Sequence, residues 1–270
     1  MGLRFENKVV LITGASAGIG AETARQLAAE GARLALLARR LDKLEGVCAE
    51  IKAQGGEAAP YVADVTDRAS LEAAVAGAAE RFGRLDIVLA NAGFGVTGAI
   101  YRLDVDDYRR QFETNFFGLL NTIYAVLPYL RESRGQLGLL GSVAGMIGTP
   151  ATSPYNASKF AVIGLAEAIY HDLDEQGIAV TLINPGFVAS ELRHVNNRGE
   201  VTNKPDPIPA WLVLPTDKAA RTIINALYRR KPDVIVTFHG KVFALCKRLF
   251  PRATRWVIRR MSKGRLPKFP

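Results

Sequence analysis

Cysteine and histidine are scarce in this chain, two Cys and three His among 270 residues. Cys48 and Cys246 lie in opposite halves of the sequence, which excludes a disulfide scaffold and a cysteine-rich metal site and suits a reducing compartment. His171, His194 and His239 have no ligand spacing with one another or with a cysteine, so no metal is expected. Long apolar runs are missing too. The N-terminus from Met1 to Lys8 holds no apolar core of signal-peptide length, and secretion is not expected. Two charge-free stretches, 114–130 and 135–158, are interrupted throughout by Asn, Ser, Thr, Gly or Pro, so neither reads as a membrane span. No repeat or low-complexity tract is present. With 49% apolar and 23% charged residues the chain is not intrinsically disordered, and the reading is a cytoplasmic, enzyme-sized domain.

Acid is missing from one region in particular. Residues 217–270 carry fifteen Lys/Arg against two Asp/Glu, an excess larger than the whole chain's +9, so the preceding body is net acidic. A basic tail on an acidic body points to a local anionic surface. Nucleic acid is not expected, because no recognisable reading module accompanies the charge.

What is present is alternation. Val9-Val10-Leu11-Ile12 is a continuous β-branched and apolar run, the signature of a strand buried on both faces. Similar runs occur at 34–37, 85–89, 137–140, 178–183 and 234–236, separated by helical patterns at 20–30, 41–53, 70–82, 106–130 and 154–176. Buried strands alternating with helices define an α/β fold, a parallel sheet with helices on both faces. The strand at 57–63 contains Pro60, which cannot donate to a ladder and so belongs at a sheet edge. That position agrees with the doubly wound order 3-2-1-4-5-6.

The first strand runs into Thr13-Gly14-Ala15-Ser16-Ala17-Gly18-Ile19-Gly20 and then a helix. Glycines there let the backbone approach a pyrophosphate, and the helix N-terminus supplies free N–H groups and partial positive charge. Gly14, Ser16, Gly18, Ile19 and Gly20 are therefore candidate dinucleotide-binding residues, although the spacing differs from G-x-G-x-x-G and tight turns use the same residues. An acid at the end of the second strand would favour NAD; this chain has Arg39-Arg40 and no acid before Asp42. Two guanidiniums suit a 2′-phosphate, so NADP(H) is preferred, the alternative being a solvated charge pair at a helix start.

Among eight tyrosines, only Tyr155 has a lysine four residues on, Lys159. Ser153-Pro154 reads as the N-cap and first position of a helix, which sets both side chains on one face. A nearby ammonium favours the phenolate, so the pair is a candidate proton donor to a carbonyl or base toward an alcohol. Alone, such a pair is more often structural.

Taken together, Thr13 to Gly20, Asp64-Val65, Asn91-Ala92-Gly93, Asn115, Ser142, Tyr155 with Lys159, and Pro185-Gly186 occur in an order that resembles the short-chain dehydrogenase/reductase family over about residues 5–190. The resemblance implies a single Rossmann-type domain with a seven-stranded parallel sheet. It implies Tyr155 as general acid/base, Ser142 as hydrogen-bond partner of the substrate oxygen, and Lys159 on the nicotinamide ribose, lowering the tyrosine's pKa. It further implies Asn115 holding a water of a proton relay, Asp64 and Val65 flanking adenine, and Asn91, Ala92 and Gly93 lining the cofactor. Val188, following Pro185-Gly186, would contact the nicotinamide amide. Two positions depart from the family pattern. Ala17 stands where many NADP-preferring relatives carry Arg or Lys, and Ser190 replaces the usual Thr while keeping the hydroxyl.

The expected organisation is a catalytic domain over 1–239 and a basic amphipathic extension over 240–270. Residues 187–215, rich in proline, are expected to form a substrate lid rather than a passive connector. Expected pocket walls are Phe94, Ala144, Met146, Ile147 and Phe187, with Leu192 and Trp211 from the lid. They imply a small to medium apolar carbonyl or alcohol, lipid- or steroid-like. The extension has helical spacing with a break at Pro251; it either lies in a membrane interface as a peripheral contact or packs on the body or a partner subunit. The family resemblance implies a homodimer or homotetramer through the helices at 106–130 and 154–176. The competing reading is a non-catalytic NADP(H)-binding regulatory or membrane-tethering protein.

Overall fold

A computed structural model describes residues 2–189, 197 and 208–263. Its strands are β1 (Val9–Thr13), β2 (Arg33–Ala38), β3 (Glu57–Val62), β4 (Ile87–Ala90), β5 (Gln136–Leu140), β6 (Ala179–Asn184) and β7 (Asp233–Ile235). They form one seven-stranded sheet in the order 3-2-1-4-5-6-7, every pair parallel. Pro60 sits on the edge strand β3 as its missing N–H requires, paired with Leu36 of β2.

Helices α1 (Gly18–Ala29), α2 (Leu41–Ala53) and α7 (Thr216–Tyr228) cover one face; α3 (Arg68–Phe82), α5 (Gly118–Ser133) and α6 (Ser153–Asp174) cover the other. The period-two geometry of β1 explains its uninterrupted apolar sequence. Val10 and Ile12 pack with Leu27, Leu44 and Ile223 on the first face, while Val9 and Leu11 pack with Leu71, Val126 and Val162 on the second.

Two local details differ from the sequence reading. The stretch expected as one helix over 106–130 is α4 (Val105–Phe112), a π-helical turn at Glu113–Phe117, then α5. The chain stays helical, but one residue is inserted at Asn115. Helix α6 begins at Ser153 with Thr152 as its N-cap, one residue earlier than expected. The Ser153 hydroxyl is 2.6 Å from Tyr108 Oη instead of capping the helix, and Thr152 Oγ1 donates to Asn156 Oδ1 at 2.6 Å.

After β7 the chain continues into α8 (Phe238–Leu249) and α9 (Pro251–Ser262), broken at Phe250 where Pro251 starts the new helix. No helix among the described residues is long and apolar enough to cross a membrane.

Candidate active site

Strand order reverses between β1 and β4, and the carboxyl ends of these strands are where an open α/β sheet leaves a crevice. The two strand ends are lashed together there. Thr13 Oγ1 accepts from the backbone N–H of Asn91 (3.0 Å) and of Ala92 (3.1 Å), while the Asn91 amide donates to the carbonyls of Thr13 (2.8 Å) and Gly14 (3.1 Å). Space explains the glycines. Gly14 has φ +66° and a Cβ on it would stand 2.9 Å from Ala92 Cα; one on Gly20 would stand 2.6 Å from Asn91 Nδ2. Ala17 caps α1 with no side-chain hydrogen bond, so the first-turn N–H groups at Gly18, Ile19 and Gly20 are not capped by a side chain. This cradle fits a pyrophosphate.

At the end of β2, Arg40 Nη2 donates to Ser16 Oγ at 3.3 Å, so a guanidinium lies against the glycine turn. Arg39 is largely exposed and 3.7 Å from Asp64 Oδ2. The other Asp64 oxygen accepts from Thr66 N (3.0 Å) and Thr66 Oγ1 (2.8 Å), which fixes the carboxylate after β3. Val65 is buried and its carbonyl accepts from Asn121 Nδ2 at 3.0 Å, tying this loop to α5. The two residues that follow β2 are both arginines, and the carboxylate beside Arg39 comes from the loop after β3.

Beyond β5, Ser142 opens a short 3-10 turn over Val143–Gly145; its Oγ accepts from Ala144 N (3.1 Å) and donates to the Pro185 carbonyl (3.3 Å). Helix α6 presents Tyr155 and Lys159 one turn apart. The Ser142 side chain lies near enough to the Tyr155 phenol to act on its acidity. Lys159 is 5% exposed, its Nζ donates to the Leu140 carbonyl at 2.7 Å, and it lies 5.9 Å from the centre of the Tyr155 ring. Burial raises the tyrosine's pKa and the neighbouring Ser142 side chain opposes that rise. Burial pulls the Lys159 ammonium down to about 8. In this geometry burial works against the charged form of both groups, and the phenol is not acidified by Lys159 as the family resemblance implied.

Asn115 is 1% exposed in the π-helical turn, the kind of helix bulge that recurs at functional sites. Its amide closes on the loop after β4, accepting from Phe94 N and donating to the Phe94 carbonyl, both at 3.0 Å, and reaches Ser158 Oγ at 3.3 Å. Gly93 leaves room for it: a Cβ there would stand 3.0 Å from Asn115 Oδ1.

Pro185 and Gly186 follow β6. A Cβ on Gly186 would strike Thr237 Oγ1 and His239 Nε2. The Phe187 N–H donates to His239 Nε2 at 3.0 Å, and the two rings stack at 5.2 Å. Val188 is buried and bridges in parallel to Leu214. Of the expected lid, Ser190 and Leu192 lie outside the described residues, as does His194. Trp211 is 83% exposed on a 3-10 turn at Ala210–Leu212, so it does not wall a pocket as expected.

The structure also brings in residues that the sequence reading missed. Gln111 is fully buried, and its amide bonds Phe94 O (2.8 Å) and Val96 N (2.6 Å), bracing the loop beside Tyr155. Asn156 bonds the carbonyls of Ala144 (2.7 Å) and Ile147 (3.0 Å), holding the wall after Ser142. Asn184 accepts from Ser142 N at 3.1 Å. No local pattern marks them, because each partner is remote in sequence or on a loop. His239 was visible only as a histidine without ligand spacing.

A doubly wound parallel sheet with a glycine turn at its switch point and a Ser–Tyr–Lys group facing the same crevice defines a nucleotide-dependent oxidoreductase. Residues 8–201 match the family model described as short chain dehydrogenase, and the chain belongs to that family. An 11-beta-hydroxysteroid dehydrogenase 1A of Arabidopsis thaliana is 35% identical over 261 residues, 92% of this chain and 74% of that one. A glycine betaine reductase of Emericella nidulans is 36% identical over 231 residues, which cover 85% of this chain but only 18% of that much longer protein. Among solved structures, a short chain dehydrogenase/reductase from Burkholderia phymatum in complex with NAD superposes with a TM-score of 0.81 at 25% identity, covering 91% of this chain and 94% of that one. An alcohol dehydrogenase from Thermococcus sibiricus complexed with 5-hydroxy-NADP gives 0.74 at 29% identity, covering 84% and 95%. The protein is an oxidoreductase of the nicotinamide-dependent kind; of these two neighbours one holds NAD and the other 5-hydroxy-NADP.

Proposed function

We propose that the protein reduces an apolar ketone or aldehyde with NADPH, or oxidises the corresponding alcohol. The observation that carries this reading is the convergence of Tyr155, Ser142 and buried Lys159 at the carboxyl ends of the strands, with the Lys159 amine 5.9 Å from the Tyr155 ring. When bound, the reduced nicotinamide supplies hydride to the carbonyl carbon. Tyr155 gives its phenolic proton to the oxygen as charge develops there, and Ser142 holds that oxygen by a hydrogen bond. Lys159, still mostly protonated at neutral pH with its pKa near 8, offers N–H donors to a ribose and stabilises the phenolate left behind. Asn115 fixes the Phe94 loop and supports a water on the path by which Tyr155 is reprotonated. NADP(H) is favoured over NAD(H) by Arg40 against Ser16 and Arg39 beside it.

An apolar substrate is supported by the apolar residues Phe94, Ala144, Met146, Ile147 and Phe187 on the segments that follow β4, β5 and β6, and by the hydroxysteroid dehydrogenase among the relatives. Exposed Val105, Phe117, Tyr124 and Phe160 on α4, α5, α6 and the turn between the first two support a homo-oligomer through those helices. Turnover of a ketone panel with NADPH tests the reaction. Tyr155→Phe is expected to lower kcat by roughly 10²–10⁴, the worth of a general acid. Equal turnover in both proteins discards the tyrosine mechanism.

A further inference from the structure

The C-terminal arm carries an apolar stripe that nothing described covers. Phe238, Val242, Leu245 and Leu249 fall at i, i+4, i+7 and i+11 of α8, hence on one face, and are 82%, 40%, 57% and 58% exposed. Phe250 at the break is also exposed, and α9 buries none of its residues. On α9, Arg252, Arg255 and Arg259 share one side at i, i+3 and i+7, while Val257 and Met261 share another at i and i+4. Trp256 lies between the two sides, with the Arg260 guanidinium 5.8 Å from its ring. Residues 240–263 contain eight Lys/Arg and no acid.

We propose that α8 and α9 form a docking arm for an anionic lipid surface. Two demands have to be met together: hydrocarbon for the stripe and negative charge for the cations. Nucleic acid meets only the second and leaves the stripe in water. A second copy of the arm meets only the first and sets two acid-free cationic segments side by side. An anionic bilayer interface meets both, with Trp256 at the boundary between acyl chains and headgroups. The root of the arm matters as well. His239, in the first turn of α8, stacks on Phe187 and accepts its N–H, so the docked arm brings the site's wall to the interface. A lipophilic substrate would then enter from the membrane; that step rests on the proposed reaction, whereas docking does not.

The test uses the full chain and two kinds of vesicle, phosphatidylcholine alone and phosphatidylcholine with phosphatidylglycerol. The chain has two tryptophans, so Trp211→Phe leaves Trp256 as the single reporter. Its emission is expected to shift blue on the anionic vesicles alone, with affinity falling as salt rises. A stripe variant, Val242→Ser with Leu245→Ser and Leu249→Ser, keeps the net charge and alters only exposed side chains. It is expected to bind the anionic vesicles roughly tenfold more weakly or worse, with its melting temperature unchanged. A second variant, Arg255→Gln with Arg259→Gln, should lose affinity and salt dependence together. The proposal is overturned by an unshifted Trp256, by equal affinity for neutral vesicles, or by a stripe variant that binds as well as the wild type. Stripe-dependent self-association in sedimentation velocity without vesicle binding also overturns it and identifies a second copy as the occupant. Vesicle binding is read without cofactor or substrate, so a chain that binds lipid and reduces no ketone defeats only the proposed reaction.

Discussion

Gly20 and Gly46 are both helical glycines, and the same substitution should move stability in opposite directions at the two sites. Replacing a glycine inside a helix by alanine is worth about 1 kcal/mol of favourable propensity. At Gly46, in the exposed middle of α2, nothing lies within 4 Å of the added Cβ, so that gain should stand alone. At Gly20 the Cβ would stand 2.6 Å from the Gly14 carbonyl oxygen and 2.6 Å from Asn91 Nδ2. The first neighbour is backbone and has little freedom to retreat, an overpacking cost of about 1–3 kcal/mol. The second is the amide that bonds Thr13 and Gly14 at 2.8 and 3.1 Å, and displacing it forfeits about 1 kcal/mol per bond. Gly20→Ala should therefore destabilise by roughly 2–4 kcal/mol net, and Gly46→Ala should stabilise by roughly 0.5–1. For a chain of this size, about 2–4 °C per kcal/mol, melting curves of the cofactor-free proteins should separate clearly. NADPH titration should show weakened binding only for Gly20→Ala. Shifts of the same sign in both proteins would refute the claim that close approach, rather than backbone freedom, dictates glycine at position 20.

Other consequences can be measured separately. Burial takes Lys159 from 10.5 to about 8, so between those values the unfolded chain binds more protons than the folded one, and stability rises with pH there. Relative to Lys159→Met, the wild type should gain stability as pH climbs through that window and show a constant difference below it; a pH-independent gap in urea midpoints contradicts this. Asp86 is buried before β4, where it accepts from Val9 N at 3.0 Å and from the Arg84 fork at 2.6 and 2.9 Å. Asp86→Ala should cost about 2 kcal/mol, chiefly the charged bond to a buried N–H, while kcat per folded molecule stays unchanged because the site lies at the other end of the strands. A drop in kcat without a drop in stability would be the opposite result. Arg39→Glu and Arg40→Glu should each weaken NADPH far more than NADH, by roughly tenfold or more in the ratio of dissociation constants, and an unchanged ratio removes the phosphate assignment.

The architecture was legible because buried parallel strands leave a strong mark. Val9 to Ile12 read as doubly buried, and Pro60 alone placed β3 at the edge. The glycine turn was legible for a similar reason, since its positive φ and close approaches admit few residue types. Chemistry that depends on distant pairing was not. The π-helical insertion at Asn115 breaks no apolar period strongly enough to be seen, so 106–130 reads as one helix. The bracing amides of Gln111 and Asn156 look like ordinary polar residues until the loops that they hold are in place. His239 shows no pattern at all, because its partner Phe187 is 52 positions away. The tail's composition displayed its amphipathic character, while its attachment beside Gly186 came only from the fold.

Pro60 has a consequence for how molecules of this protein can meet. The outer rail of β3 lacks a donor at its centre, and the opposite border, β7, is three residues long. Both rims are poor templates for an added strand, so the sheet is guarded against lateral growth although it is not a barrel. A crowded solution therefore has fewer routes from this sheet to fibrous aggregates.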